Sequence, residues 1–412
     1  MAKIAFFGFP AFGHVNPTLA VVGELRRRGH EVVFWCSRAF AERLQAAGAE
    51  FRGYDDASLE ELTITPESLA QLPRLVAEAS EWFLEERLEG LRQESFDLIV
   101  HDSVAPWGKC AARALGLPSV GSVSTFAFNR RMMKLARGLY DIPVSWSRTG
   151  MKLKSMWRIL QARRRIRRRG LPPPGVVDLV FAKGTRATIV YNSPDFQPFA
   201  EDFGPDVHFV GPSLDPDRDE VDFPFQRLEA QRPLLYISLG TLFNREADFF
   251  RHCFEAFGDS RWQVVLTLGG GLDPVELQSQ APSNFILCRY APQLRLLERA
   301  SVAITRGGMN TVNECLYYGV PALAIPFLSE QALVAGRLVQ VGAGLALKPK
   351  DVSPSQLKEA VEALSASTYT QKARQIGQSL RRSGGYREAC DVIEGCLANS
   401  PSRSAETSQA IA

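Results

Sequence analysis

Apolar residues arrive along this chain in short unbroken runs, and the stretches between them carry helical periodicity. KIAFFG at 3–8, HEVVFWCS at 30–37 and FDLIVH at 96–101 are centred on short apolar runs, as strands covered on both faces are. SVGSV, ATIVYNS and VHFVGP follow in the same style. Between these runs lie amphipathic segments. Residues 18–28 end at Gly29, and AFAERLQAAG ends at Gly48. The second half repeats the pattern with PLLYISLGT, WQVVLTLGGG, NFILCRY, SVAIT and ALAIPF. The helix before the last of these strands stops at Gly319, where Pro321 blocks its continuation. Such alternation predicts an α/β chain with doubly wound parallel sheets, whose ligands bind beyond the C-terminal ends of the strands.

A chain of 412 residues exceeds one ordinary core. The polar, Pro/Asp-rich stretch GPSLDPDRDEVDFPFQRLEAQRP separates the two rounds of alternation. The expected division is a first Rossmann-like domain at 1–212, a linker at 213–231 and a second Rossmann-like domain at 232–380. A last helix follows at 381–398. The small, polar residues of 399–412 suit a disordered tail.

Strand ends then select the candidate chemistry. His14 follows the first strand at the mouth of a helix, where a histidine meets the cleft and titrates near neutrality; many loop histidines there do nothing. Asp102 ends the strand at 96–101 and points into the same cleft, or caps the helix beginning near Ala105. In the second half, Arg306-Gly307-Gly308 is a glycine turn, and Asn310 and Thr311 are positioned to cap the helix after it. A strand, a glycine turn and a helix N-terminus make an anion site, to which Arg306 adds a charged fork. The plain alternative is an ordinary βαβ turn with a surface arginine. Ser238, Gly240 and Thr241 form another polar strand tip.

The order Ala291-Pro292-Gln293, Gly307-Gly308-Met309-Asn310-Thr311, Glu314 and Glu330-Gln331 resembles the donor signature of family-1 UDP-sugar glycosyltransferases, in the bacterial macrolide and natural-product branch. GFPAFGHVNPTLAVVGELRRRGHEV resembles their N-terminal hallmark. The resemblance runs from residue 3 to about 398. It implies the GT-B fold, two Rossmann-like domains facing across a cleft, with the last helix crossing back to the first domain. It implies His14 as general base, oriented by Asp102. It places the nucleotide base near Tyr290 and the backbone of Ala291, and the ribose on Gln293 and Glu314. The diphosphate falls among Ser238, Thr241, Arg306, Gly308, Asn310 and Thr311, and the sugar on Glu330 and Gln331. Phe12, Ser122, Thr125 and Phe126 stand on the acceptor side. The implied reaction is inverting hexose transfer from a UDP-sugar co-substrate, glucose by default, to a small hydrophobic acceptor, with no cofactor and no metal. Relatives usually carry histidine where this chain has Arg306. The alternatives are a lipid or sterol glycosyltransferase at a membrane surface, a non-catalytic nucleotide-sugar-binding partner, and a sugar-nucleotide epimerase. The His14/Asp102 pair and Glu330-Gln331 speak against the last.

Charge changes this picture in one place. The whole chain is nearly balanced, with 48 Lys and Arg against 45 Asp and Glu, which argues for no dedicated nucleic-acid partner. Residues 130–169 are strongly basic, with Asp141 their single acid. They read as a solvated helical face or as a contact for anionic lipid, with Met151, Leu153, Met156, Trp157, Ile159 and Leu160 as apolar partners; nucleic acid is a third reading. Seven scattered cysteines, an odd number with no Cys-x-x-Cys, suit buried thiols in a reducing compartment. No apolar run reaches the roughly 18 residues of a membrane span. MAKIAFFGF reads as a first strand rather than a signal peptide, since its apolar run is short and breaks at Pro10. The expected location is cytoplasmic, with peripheral membrane contact through 130–169.

Overall fold

A computed structural model describes residues 1–398 apart from positions 56, 61–65, 140–148, 172, 174–183, 216–220, 241–246, 270–276 and 278. Its strands form two wholly parallel sheets. The first contains β1 (Lys3–Phe7), β2 (Glu31–Cys36), β3 (Glu50–Gly53), β4 (Leu98–Asp102), β5 (Ser119–Val123), β6 (Ala187–Val190) and β7 (Val207–Phe209). They lie in the order β3-β2-β1-β4-β5-β6-β7. The second contains β8 (Leu234–Ser238), β9 (Gln263–Thr267), β10 (Phe285–Cys288), β11 (Ala300–Thr305), β12 (Ala322–Ala324) and β13 (Gly344–Ala346), in the order β10-β9-β8-β11-β12-β13.

Each sheet reverses its winding once, between β1 and β4 and between β8 and β11. At such a reversal the connecting segments part and leave a crevice beyond the strand ends. Register decides what faces it. Phe7 pairs with His101, so the turn after β1 lies beside Asp102. Ser238 pairs with Thr305, so the turn after β8 lies beside Arg306. The central strands are fully buried, as unbroken VVFW and LLYI runs require when helices cover both faces.

One apolar cluster joins the two halves: Phe126, Met132 and Phe196 of the first pack with Met309, Val312, Leu333 and Leu338 of the second. Polar bonds cross the same seam. Asn313 Nδ2 donates to Tyr191 O at 2.9 Å, and Arg337 donates to Asp195 O and Phe196 O at 2.8 and 2.9 Å. The last helix, Gly385–Ala398, lies on the first sheet's side. Ala389, Cys390 and Ile393 enter the core with Val21, Leu25 and Ile189. Arg28 meets Asp391 at 2.5 Å and Glu394 at 2.7 Å, and His30 Nε2 lies 2.8 Å from Glu394. All seven cysteines are free, six of them buried.

Local boundaries depart from the sequence expectations in instructive ways. The first helix spans Phe12–Arg27, not 18–28, so His14 stands in its first turn and Pro17 lies inside it. The helix after the glycine turn is capped by Gly308 without a side-chain bond, so Asn310 and Thr311 occupy its first turn instead of capping it. The edge strands β3 and β13 carry EFRG and GLA, too short and too polar or small for an apolar run. Thr241 and the tail 399–412 lie outside the described residues.

Candidate active site

The first crevice holds a hydrogen-bonded pair. His14 Nδ1 lies 2.9 Å from Asp102 Oδ2. Asp102 is 4% exposed, and its other oxygen accepts from Val104 N at 2.7 Å. Both carboxylate oxygens are thus engaged and the side chain is fixed. Ser124 Oγ lies 3.1 Å from the same His14 nitrogen, and Phe9 sets its ring edge-on at 5.2 Å. With Nδ1 committed to Asp102, Nε2 carries the basic lone pair. Burial alone would lower the His14 pKa. The adjacent Asp102 charge and hydrogen bond, together with the charge of Glu330, outweigh burial and hold it above its ordinary 6.5. Glu330, on the second half, is raised by desolvation in the cleft, against the pull of His14.

The turn that carries His14 is also tied across the cleft. Pro17 has no N–H, so Gly13 O loses the helical donor that residue 17 would supply. Asn310 Nδ2 donates to that oxygen at 3.2 Å. The first turn of the helix after Gly308 therefore contacts the backbone immediately before His14.

At the second crevice, Gly307 has φ +80°, and a Cβ there would stand 3.0 Å from Gln331 O, so glycine is required. Arg306 is 4% exposed, with its guanidinium stacked 4.2 Å from the Phe327 ring. Gln293 accepts from Tyr236 OH at 3.0 Å and donates to Glu314, which is buried beneath it. Gln331 Oε1 accepts from Phe327 N and Leu328 N at 2.9 and 3.1 Å, capping its own helix Ser329–Gln340. Tyr290 is 52% exposed, an open aromatic face beside Ala291. Ser238 ends β8, nearly buried.

The structure brings His14 and Asp102 together, and Gln293 with Glu314. It leaves some acceptor-side residues away from open space. Ser122 is buried, 3.5 Å from Tyr191 OH, and Phe126 is buried on Phe196. Thr125 keeps some surface, and its hydroxyl turns to Phe126 O at 3.5 Å. Phe12 packs against Phe40 and Arg43. Ser124, Pro17, Asn313 and Phe327 were not singled out from the sequence. Ser124 had a signal, its place directly after the strand run SVGSV, and Ser122 within that run pairs with Asp102 in the structure. Among the described residues no group of three or more His, Cys, Asp or Glu could hold a metal ion.

Residues 245–383 match the glycosyltransferase family 28 C-terminal domain. The chain is 34% identical over 409 residues to an uncharacterized UDP-glucosyltransferase, YojK, of Bacillus subtilis, covering 95% of this chain and 97% of that one. It is 30% identical to the demethyllactenocin mycarosyltransferase of Streptomyces fradiae, covering 96% and 87%. The crystal structure of CalG4, the calicheamicin glycosyltransferase, superposes with a TM-score of 0.81 at 29% identity, covering 97% of this chain and all of that one. Two facing parallel-sheet domains with this match define a GT-B glycosyltransferase. The chain belongs to the UDP-sugar-dependent glycosyltransferase family, in the branch that includes the natural-product enzymes, and it is a glycosyltransferase.

Proposed function

We propose that the enzyme transfers a hexose from a UDP-sugar, glucose by default, to a hydroxyl of a small hydrophobic acceptor such as a macrolide, polyketide or polyphenol, with inversion at the anomeric carbon. The observation that carries this reading is the oriented His14–Asp102 pair at one crevice, tied through Gly13 O and Asn310 to the glycine turn at the other. The relatives whose names specify demethyllactenocin and calicheamicin support the acceptor class.

In this mechanism His14 Nε2 takes the acceptor O–H proton while that oxygen attacks the anomeric carbon. The bond from that carbon to the diphosphate oxygen breaks, and UDP leaves with the electron pair. Asp102 stabilises the imidazolium, and Ser124 holds the ring orientation. The leaving diphosphate gains negative charge, met by the helix N-terminus at Gly308, by Arg306, Asn310 and Thr311, and by Ser238. Tyr290 and Ala291 take the uracil, Gln293 and Glu314 the ribose hydroxyls, and Glu330 and the Gln331 amide the sugar. Phe12 and Thr125 border the acceptor, with Ser122 and Phe126 forming the wall behind it.

Acceptor-dependent UDP release tests this. Purified protein with a panel of UDP-sugars and hydrophobic aglycones should release UDP only when both substrates are present, and His14→Ala should slow that release about a hundredfold or more. UDP binding by calorimetry without release from any pairing would sink the proposal.

A further inference from the structure

The helix Thr149–Arg168 has two unlike sides. Towards the helix Pro66–Glu86 it turns the buried Ala162 and Ile166, together with Arg158 and Arg165; these pair with Glu78 at 3.4 Å and with Glu81. Arg169, just past its end, pairs with Glu85. At 3.6 residues per turn these positions share one arc. The acids opposite them are spaced along one face of their own helix, so this side of the basic stretch is neutralised inside the protein.

Among the described residues the opposite arc has no such match. Trp157 is 61% exposed and Leu160 57% exposed, one turn apart. Arg164, Arg167 and Arg168 are exposed on the same side. Single apolar side chains on a surface are ordinary, but adjacent large ones rimmed by polar residues mark interaction sites. An outward tryptophan and leucine set among arginines is the makeup of a helix that lies in the headgroup region of a bilayer. The indole settles at the interface, and the guanidiniums draw anionic headgroups. A nucleic-acid backbone would use the arginines but leave Leu160 idle.

We infer that this outer face docks the enzyme on an anionic lipid surface. The surface lies on a different helix from the His14 and Arg306 crevices, and lipid binding requires neither donor nor acceptor. Glycosyl transfer and docking can therefore fail separately.

The test is co-sedimentation of the full chain with phosphatidylcholine vesicles, with and without phosphatidylserine. Binding should require phosphatidylserine and weaken as salt rises. Arg164→Gln with Arg167→Gln should weaken it about tenfold, as should Trp157→Ser with Leu160→Ser. Both variants should keep wild-type UDP release, which shows that they fold. Vesicles should also shift the tryptophan emission to the blue, and Trp157→Phe should remove that shift while retaining binding. No binding at low salt, equal binding by the variants, or binding to DNA in place of vesicles would overturn the inference.

Discussion

The two crevices are built on the same plan and kept in opposite states. Each lies at the winding reversal of a parallel sheet, β1 against β4 and β8 against β11. At the first, the chemical groups are already aimed: His14 bonds Asp102, and the carboxylate is held from its other side by Val104 N. At the second, the groups expected to read a ligand bond to the protein itself. Gln293 bonds Glu314, Gln331 caps its helix, Arg306 stacks on Phe327 and Asn310 reaches Gly13. A base must be oriented before its substrate arrives, since its proton transfer depends on geometry. In the proposed function these groups exchange internal bonds for ligand bonds, which costs affinity but keeps buried polar atoms satisfied in the meantime.

Removing the aimed group should have the largest effect. His14→Ala should lower kcat by about 10²–10⁴-fold, the usual worth of a positioned base, while calorimetric UDP affinity stays unchanged. A comparable loss of UDP binding would move His14 from the reaction to the donor site.

Next comes Arg306. Arg306→Ala should lower kcat/KM for the donor by about 10–100-fold, the scale of a charge-assisted bond. Arg306→Lys should not restore it, because an ammonium cannot keep the planar stack on Phe327. Unchanged donor kinetics would remove Arg306 from the site.

Pro17 offers a smaller effect with two opposite signs. Pro17→Ala returns an N–H to Gly13 O and competes with Asn310 for it. The melting temperature should rise, since proline inside a helix costs up to about 3 kcal/mol. Turnover should fall about 2–10-fold, the worth of one hydrogen bond. A rise in both would mean that the bond across the cleft does not position His14.

The smallest effect lies far from either crevice. Arg28 gathers Glu24, Asp391 and Glu394 and anchors the last helix. Arg28→Ala should cost about 1 kcal/mol by chemical denaturation, as exposed pairs in a network do. Hydrogen bonds from Arg27, outweighing burial, and then from Arg28 hold the Glu24 carboxyl at about 2. A depressed carboxyl stabilises above its unfolded value and loses that contribution on acidification. The Arg28 effect should therefore be full above pH 4.5 and fade as pH falls towards about 2.

Much of this was legible in the sequence, because buried parallel strands leave an unmistakable apolar run and their ends select the cleft. That rule placed both His14 and Asp102 at the cleft, and the resemblance assigned them the roles of base and orienter. Hidden features had physical reasons to be hidden. A proline is normally read as a helix boundary, so Pro17 concealed both the true start at Phe12 and the oxygen it frees. The strands β3 and β13 are edge strands with one neighbour each, and need no continuous apolar face. Glu314 was legible as a residue but not as the partner of Gln293, since that contact depends on how two helices meet. The basic stretch announced its charge but not its division. Only the packing of Thr149–Arg168 on Pro66–Glu86 shows which arginines are matched by acids and which face outward.

The account's central claim is that Asp102 tunes and aims His14 as the base. The direct measurement is kcat/KM for the acceptor against pH, in the wild type and in Asp102→Asn; this ratio reports ionisations of the free enzyme. The wild-type acid limb should lie above 6.5, because the Asp102 charge outweighs the burial of His14. Without that charge burial counts for more, so the limb of Asp102→Asn should move to lower pH while its plateau falls. A limb that stays in place, or one that moves upward, would contradict the claim.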